Sequence, residues 1–277
     1  MTLFVGAGYT GARVLARLPD AVALGRSRSG DERLDLDRDE PLAMTLPAAY
    51  AVIYSVPPAS DQPGDPRLAR FLALLPHPPA RIVYLSTTGV YGDRGGDRVD
   101  ERSEPRPGSA RAERRLTAER LLAGWCTETG TTAVVLRVPG IYGPGRLGTE
   151  RLRDALPVIR DDEANPGNRI HVDDLATCCI AALSPGVPDG IYNVGDGDHR
   201  SGSWFTNEVA RQAGLPPPPA ISLAEAQRTF SPMRLSFLGE SRVVDTTKMR
   251  EALGVTPRYT NAADGIAASL REESRPG

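Results

Sequence analysis

The chain has 277 residues, 40% of them hydrophobic, with a formal net charge of −2 and an isoelectric point near 6.0. That is enough apolar material for one large domain or a domain with a smaller lobe, and the charge balance excludes a global basic signal for nucleic acid or an anionic membrane. No apolar run approaches the ~20 residues of a membrane span, and the N-terminus has no basic segment of the kind that opens a signal peptide.

Taken in chain order, Thr2–Val5 reads as a strand and Thr10–Leu18 as the helix behind it. Ala21–Gly25 and Arg33–Asp37 read as strands two and three, and Tyr50–Val56 as strand four. Pro66–Leu75 has helical spacing, with Leu68, Phe71, Leu72 and Leu75 on one face. Arg81–Thr87 is a fifth strand, Gly108–Gly124 a helix and Thr132–Val138 a sixth strand. Near-continuous apolar strands alternating with helices predict an α/β fold, a Rossmann-type doubly wound parallel sheet covered on both faces. After Tyr142 the rhythm changes. Turn signals stand at "GPG", "NPGN" and "SPGVPDG", and "GLPPPPA" is a stiff linker. Short strands are expected at Ile170–Val172 and Ile191–Val194, and helices at Asp174–Leu183, capped by Asp173, and at Ser203–Ala213. This divides the chain into a nucleotide-binding part, residues 1–145, and an interleaved C-terminal substrate lobe, residues 146–277. The strands of that lobe are expected to return to the sheet.

The turn after the first strand, "GAGYTG", places Gly6, Gly8 and Gly11 in a G-x-G-x-x-G pattern that opens a helix. Gly6 permits the tight turn, Gly8 lets a pyrophosphate approach the backbone, and Gly11 lets helix and strand pack closely. The helix N-terminus offers N–H groups to phosphate. The end of strand two decides which dinucleotide. An NAD site wants an acid there for the ribose 2′-OH, but the sequence reads "ALGRSRSG". Arg26 and Ser27 suit a 2′-phosphate, which favours NADP over NAD; the competing reading uses Asp31. Three scattered histidines and the cysteines Cys126, Cys178 and Cys179 form neither a metal-ligand pattern nor a disulfide framework, so no metal is expected and a reducing cytoplasm fits.

"STTGVYG" at residues 86–92, with the glycine turn, resembles the extended short-chain dehydrogenase/reductase family, the NAD-dependent epimerase/dehydratase group. "DLD" at residues 35–37, "LRVPGIYGPG" at 136–145, "RIHVDDLA" at 169–176 and "YNVGDG" at 192–197 extend the resemblance over nearly the whole chain. It implies that Tyr9 and Thr10 beside the glycines, Asp35 and Leu36, then Ser55, Val56 and Pro57, and finally Thr87 and Pro139 line the cofactor. Catalysis in such enzymes uses a hydroxyl, which falls on Thr87, and a tyrosine and lysine four apart. Aligning Pro107, Ser109 and Glu119 to the family's pattern puts Arg111 at the tyrosine position and Arg115 at the lysine position. The only lysine is Lys248, and Val244 stands four residues before it, so no Tyr-x-x-x-Lys exists in the sequence. The chain thus resembles the atypical, YeeZ-like members of the group.

An arginine can hold a charge near the ribose but does not release a proton near neutral pH. Tyr91 and Tyr142 are the substitute phenols in reach, with Arg115 or Arg111 to lower their pKa. Two functional classes stay open: an NAD(P)-dependent oxidoreductase or epimerase-type enzyme with a replaced acid/base, acting on a small molecule of unspecified identity, and a non-catalytic NADP-binding redox sensor or scaffold. Neither involves nucleic acid or membrane, and either a monomer or a homodimer is compatible with the sequence.

Overall fold

The computed structural model describes residues 1–26, 32–231, 234–235 and 239–274. Seven parallel strands form the central sheet: β1 (Thr2–Val5), β2 (Ala21–Gly25), β3 (Glu32–Arg33), β4 (Ala51–Tyr54), β5 (Arg81–Thr87), β6 (Thr132–Val138) and β7 (Gly190–Asn193). Their order across the sheet is β7-β6-β5-β4-β1-β2-β3. The order reverses between β1 and β4, and the crevice outside the carboxyl ends of these strands is where ligands bind in such sheets.

Both faces are covered, which is why the strands read as continuous apolar runs. One core gathers Phe4, Ile53, Val83 and Leu136 against Leu175 and Cys179; the other gathers Leu3, Val52, Ile82 and Tyr84 against Leu68, Phe71 and Leu122. Helix α1 (Tyr9–Leu15) follows the glycine turn. Helix α2 (Pro66–Leu74) starts with Asp65 as N-cap, accepting from Leu68 N at 3.0 Å, and with Pro66 in its first turn, where a missing N–H costs nothing. Helix α3 (Ala110–Thr129) is capped by Ser109, and Gly130 ends it in the left-handed region at φ +73°. Its buried seam, Ala112, Leu116, Glu119, Leu122 and Cys126, repeats every three or four residues and contains one charge. That charge, Glu119, meets the buried Arg137 of β6 at 2.7 Å and also accepts from Ser86 Oγ.

Several expectations change; among them, the helix expected over Gly108–Gly124 runs over Ala110–Thr129 and the one over Thr10–Leu18 over Tyr9–Leu15. The strand expected over Arg33–Asp37 is only the two-residue Glu32–Arg33 at the sheet edge. The strand at Arg169–His171 does not return to the sheet; it pairs with Gly140–Tyr142 in a separate parallel ribbon. Pro139 explains this, because it lacks an N–H and detaches Gly140–Tyr142 from β6, so that the partner strand lies outside the sheet too. The helix expected at Asp174–Leu183 runs over Val172–Ala181, with His171 rather than Asp173 as N-cap; His171 Nδ1 accepts from Asp173 N at 3.2 Å. The C-terminal helices Gly202–Ala213 and Ala262–Glu273 pack on Tyr142, Leu147 and Leu152 in a third cluster beside the ribbon. No helix among the described residues is long and apolar enough to cross a membrane.

Candidate functional site

The glycine turn stands at the carboxyl end of β1, opposite the loop after β4. Gly6 has φ +86°, and a Cβ there would lie 2.7 Å from Val56 Cγ2 and 3.0 Å from Val56 N. The turn is tied down by Gly6 N donating to Leu24 O and Ser55 Oγ donating to Gly6 O. At Gly11 a Cβ would meet Phe4 Cε1 at 2.8 Å, the close helix–strand approach the motif calls for. Gly8 differs: it is exposed, and a Cβ there would find only Gly6 O, at 4.0 Å. The space where a side chain would stand at Gly8 is therefore open, as an approaching pyrophosphate requires. The residues present fit a dinucleotide.

Tyr9 turns away from the glycine loop. Its hydroxyl donates to Pro144 O at 2.9 Å, its ring lies 4.0 Å beneath the Arg146 guanidinium, and burial pushes its phenol up to about 12. Thr10 is buried in the first turn of α1, and Leu36 is part of the core. At the other end of the crevice, Arg26 reaches Asp37 at 3.1 Å, Asp35 Oδ1 accepts from Asp37 N, and Pro57 O accepts from Arg67. Ser27 and Asp31 lie outside the described residues.

Beyond β5 and β6 a cavity of about 500 Å³ opens at the same edge of the sheet. It is lined by Thr87, Thr88 and Pro139 at the strand ends, by Arg111 and Arg146, and by residues 163–169 of the C-terminal lobe. A space of that size suits a small molecule. Thr87 is half-buried, and its Oγ1 accepts from Gly89 N at 3.1 Å, which leaves its hydroxyl proton to donate. A second cavity of about 850 Å³ shares Ile159, Gly202 and Ser203 with the first and carries Arg151 and Arg234.

The catalytic candidates separate sharply. Arg111 does line the cavity. Arg115 lies beneath the crevice: one nitrogen donates to Leu85 O and Tyr84 Oη, each at 3.0 Å, and contacts Val56 O at 3.4 Å. It clamps the ends of β4 and β5, and its phenol partner is Tyr84, not Tyr91 or Tyr142. Burial nevertheless pushes the Tyr84 phenol up to about 12. Tyr91 is 0% exposed, donates to Asn193 Oδ1 at 2.8 Å, lies under Arg137 and is absent from the cavity wall. A phenol so enclosed does not meet a substrate, which corrects the acid/base role expected for it. Tyr142 borders the cavity, but its hydroxyl is buried against Gly265 with no hydrogen-bond partner among the described residues, and burial raises its pKa. It too is unsuited to proton transfer. Lys248 is structural, donating to Ile191 O at 2.7 Å.

Sequence reasoning missed Arg67. Its fork on Asp37 joins residues 30 apart in the chain, and nothing in the local pattern marks it. It also missed the cavity wall at 163–169, whose one sequence signal was the turn "NPGN".

Residues 67–195 match the family model described as "NAD dependent epimerase/dehydratase family". Among curated proteins, the chain is 27% identical over 202 residues to protein y4nG of Sinorhizobium fredii, a match spanning 66% of this chain and half of that protein. It is 25% identical over 217 residues to YeeZ of Escherichia coli, covering 76% of this chain and 72% of YeeZ. Among solved structures, a conserved protein of unknown function from Silicibacter pomeroyi superposes with a TM-score of 0.82 at 30% identity, over 99% of both chains. MoeE5 in complex with UDP-glucose and NAD superposes at 0.75 with 22% identity, over 98% and 97% of the chains, a likeness of fold. Sheet order, glycine turn and these similarities agree: the chain belongs to the NAD-dependent epimerase/dehydratase family.

Proposed function

We propose that the protein is an NADP-dependent oxidoreductase acting on a small molecule in the cavity beside Thr87, without a tyrosine–lysine pair. The observation that carries this reading is the placement of the cavity at the same sheet edge as the Gly6–Gly8–Gly11 turn, with Arg111 in its wall. A bound nicotinamide dinucleotide supplies the hydride donor or acceptor. The N–H groups of the first turn of α1 hold the pyrophosphate, which the missing side chain of Gly8 lets approach, and the Arg115 charge under the crevice favours the anionic cofactor. Thr87 hydrogen-bonds the reacting oxygen. Arg111 stabilises negative charge developing there but delivers no proton. Loss of a positioned general acid costs roughly 10²–10⁴-fold, so the reading favours a reaction that draws little proton transfer from the protein.

NADP is preferred because Arg26 stands beyond the end of β2 where an NAD site wants an acid. The two cationic side chains of the second cavity, Arg151 and Arg234, support a substrate that extends into it with an anionic group, as the UDP-glucose bound by the MoeE5 neighbour would. The free, buried Cys126, Cys178 and Cys179 are compatible with a reducing cytoplasm. A second reading, a cofactor-binding sensor without turnover, is favoured by one observation: the sole phenol bordering the cavity beside Thr87 among the described residues is Tyr142, whose hydroxyl is buried.

The test is NADPH oxidation against a panel of carbonyl compounds, run beside direct binding of NADPH. Turnover that is lost in Gly8→Glu and retained in Tyr91→Phe supports the enzyme. Binding with no turnover across the panel transfers the case to the sensor, and no binding removes both.

A further inference from the structure

At the adenine end of the crevice, three segments of the chain meet on one carboxylate. Arg67, in the first turn of α2, grips Asp37 with two parallel hydrogen bonds, Nε to Oδ1 at 2.6 Å and Nη2 to Oδ2 at 2.7 Å. Arg26, just beyond β2, reaches the same Oδ2 at 3.1 Å. Arg67 is anchored from the far side by Nη1 donating to Pro57 O at 3.0 Å, so its guanidinium spans from the loop after β3 to the loop after β4. It is the most enclosed of the three, 18% exposed against 39% for Asp37 and 67% for Arg26.

A carboxylate in a guanidinium fork and a phosphate in the same fork use one geometry. We propose that Asp37 and the 2′-phosphate of NADP compete for the same two guanidiniums, with Arg67 the principal one. Asp37 then acts as an internal anion that the phosphate displaces, and Arg67, anchored on Pro57, stays in place to receive it. This rests on the proposed preference for NADP and assigns its discriminating contact to α2 as well as to the end of β2. Partner exchange also accounts for a carboxylate beside a phosphate subsite. Asp37 lies in a loop and has room to turn outward, and the arginines hold its carboxyl below the usual range while it is paired with them. Dinucleotides lacking the 2′-phosphate offer nothing that matches Asp37 as a ligand of the fork, so for them the ion pair stays closed.

The experiment is calorimetric titration of the whole protein with 2′,5′-ADP and with 5′-AMP, which differ by the phosphate in question, at low and moderate salt. Asp37→Asn frees both guanidiniums, and 2′,5′-ADP is expected to bind about tenfold more tightly. Arg67→Gln is expected to weaken it about tenfold. In both variants 5′-AMP stays within about twofold of the parent, and thermal melting confirms that both are folded. The proposal is overturned if Asp37→Asn leaves 2′,5′-ADP affinity unchanged or weakens it, or if Arg67→Gln weakens both nucleotides alike. Should Arg67→Gln not fold, the Asp37→Asn result decides alone. If 5′-AMP binds the parent protein as tightly as 2′,5′-ADP, the preference for NADP fails instead, and if neither binds, the cofactor reading itself fails.

Discussion

The three glycines of the turn have separable roles, and alanine at each should separate them. At Gly6, φ +86° is a left-handed conformation that costs a residue with a Cβ about 1–2 kcal/mol, and the new atom would stand 2.7 Å from Val56 Cγ2 and 3.0 Å from Val56 N. The second contact is to backbone, which cannot swing aside, so Gly6→Ala should lose about 2–3 kcal/mol of stability. Gly11→Ala meets the Phe4 ring at 2.8 Å and the Ala7 Cβ at 3.3 Å, and a loss of about 1–3 kcal/mol follows from overpacking. Gly8 has φ −100° and nothing nearer than 4.0 Å. Gly8→Ala should therefore change stability by less than about 1 kcal/mol, yet its methyl would project into the place proposed for the pyrophosphate and weaken NADPH at least about tenfold. Urea denaturation gives the stabilities, and fluorescence titration with NADPH the affinities. Undiminished NADPH affinity in a folded Gly8→Ala protein would refute the reasoning.

Other consequences follow from burial. Breaking the Arg137–Glu119 pair with Glu119→Gln leaves a buried cation uncompensated and should cost about 3–5 kcal/mol in urea unfolding; a loss below about 1 kcal/mol would show that the pair is solvated. Tyr91→Phe removes one buried hydrogen bond and should cost about 1 kcal/mol with no change in NADPH affinity. Tyr142→Phe removes a hydroxyl that has no hydrogen-bond partner among the described residues and should be neutral or stabilising by melting temperature; clear destabilisation would mean that the hydroxyl is satisfied. Burial raises Asp196 to about 7; the hydrogen bond it accepts from the Asp198 N–H and the Arg169 charge oppose the rise, and the Asp198 and Asp174 charges add to it. The folded chain then holds a proton that the unfolded chain releases near pH 4, so this group's contribution to stability is full below about 4 and declines as pH rises to about 7. Asp196→Asn should flatten that part of the melting-temperature profile, and an unchanged slope would count against the assignment.

Apart from the exposed edge pair Glu32–Arg33, the sheet was legible because its strands are covered on both faces and read as short, mostly apolar runs ended by turns. The glycine turn was legible because its three constraints are local: a positive φ, a close approach and a helix start within six residues. Tyr91 was misjudged for the opposite reason. Its enclosure comes from Arg137 and Asn193, 46 and 102 residues further along, and no local pattern announces them. The Arg67–Asp37 fork and the ribbon at Arg169–His171 are long-range in the same sense. Arg111 and Arg115 show an intermediate case: alignment located both on α3, but only the structure separates the cavity wall, where Arg111 stands, from the strand ends that Arg115 clamps.

The most direct measurement is a crystal structure of the protein grown with NADP⁺. The account predicts the pyrophosphate against the backbone at Gly8 and Tyr9, the 2′-phosphate on Arg67 and Arg26, and nicotinamide C4 facing the cavity at Thr87 and Arg111. Density for the dinucleotide anywhere other than that crevice, or a nicotinamide ring turned away from the cavity, would contradict it.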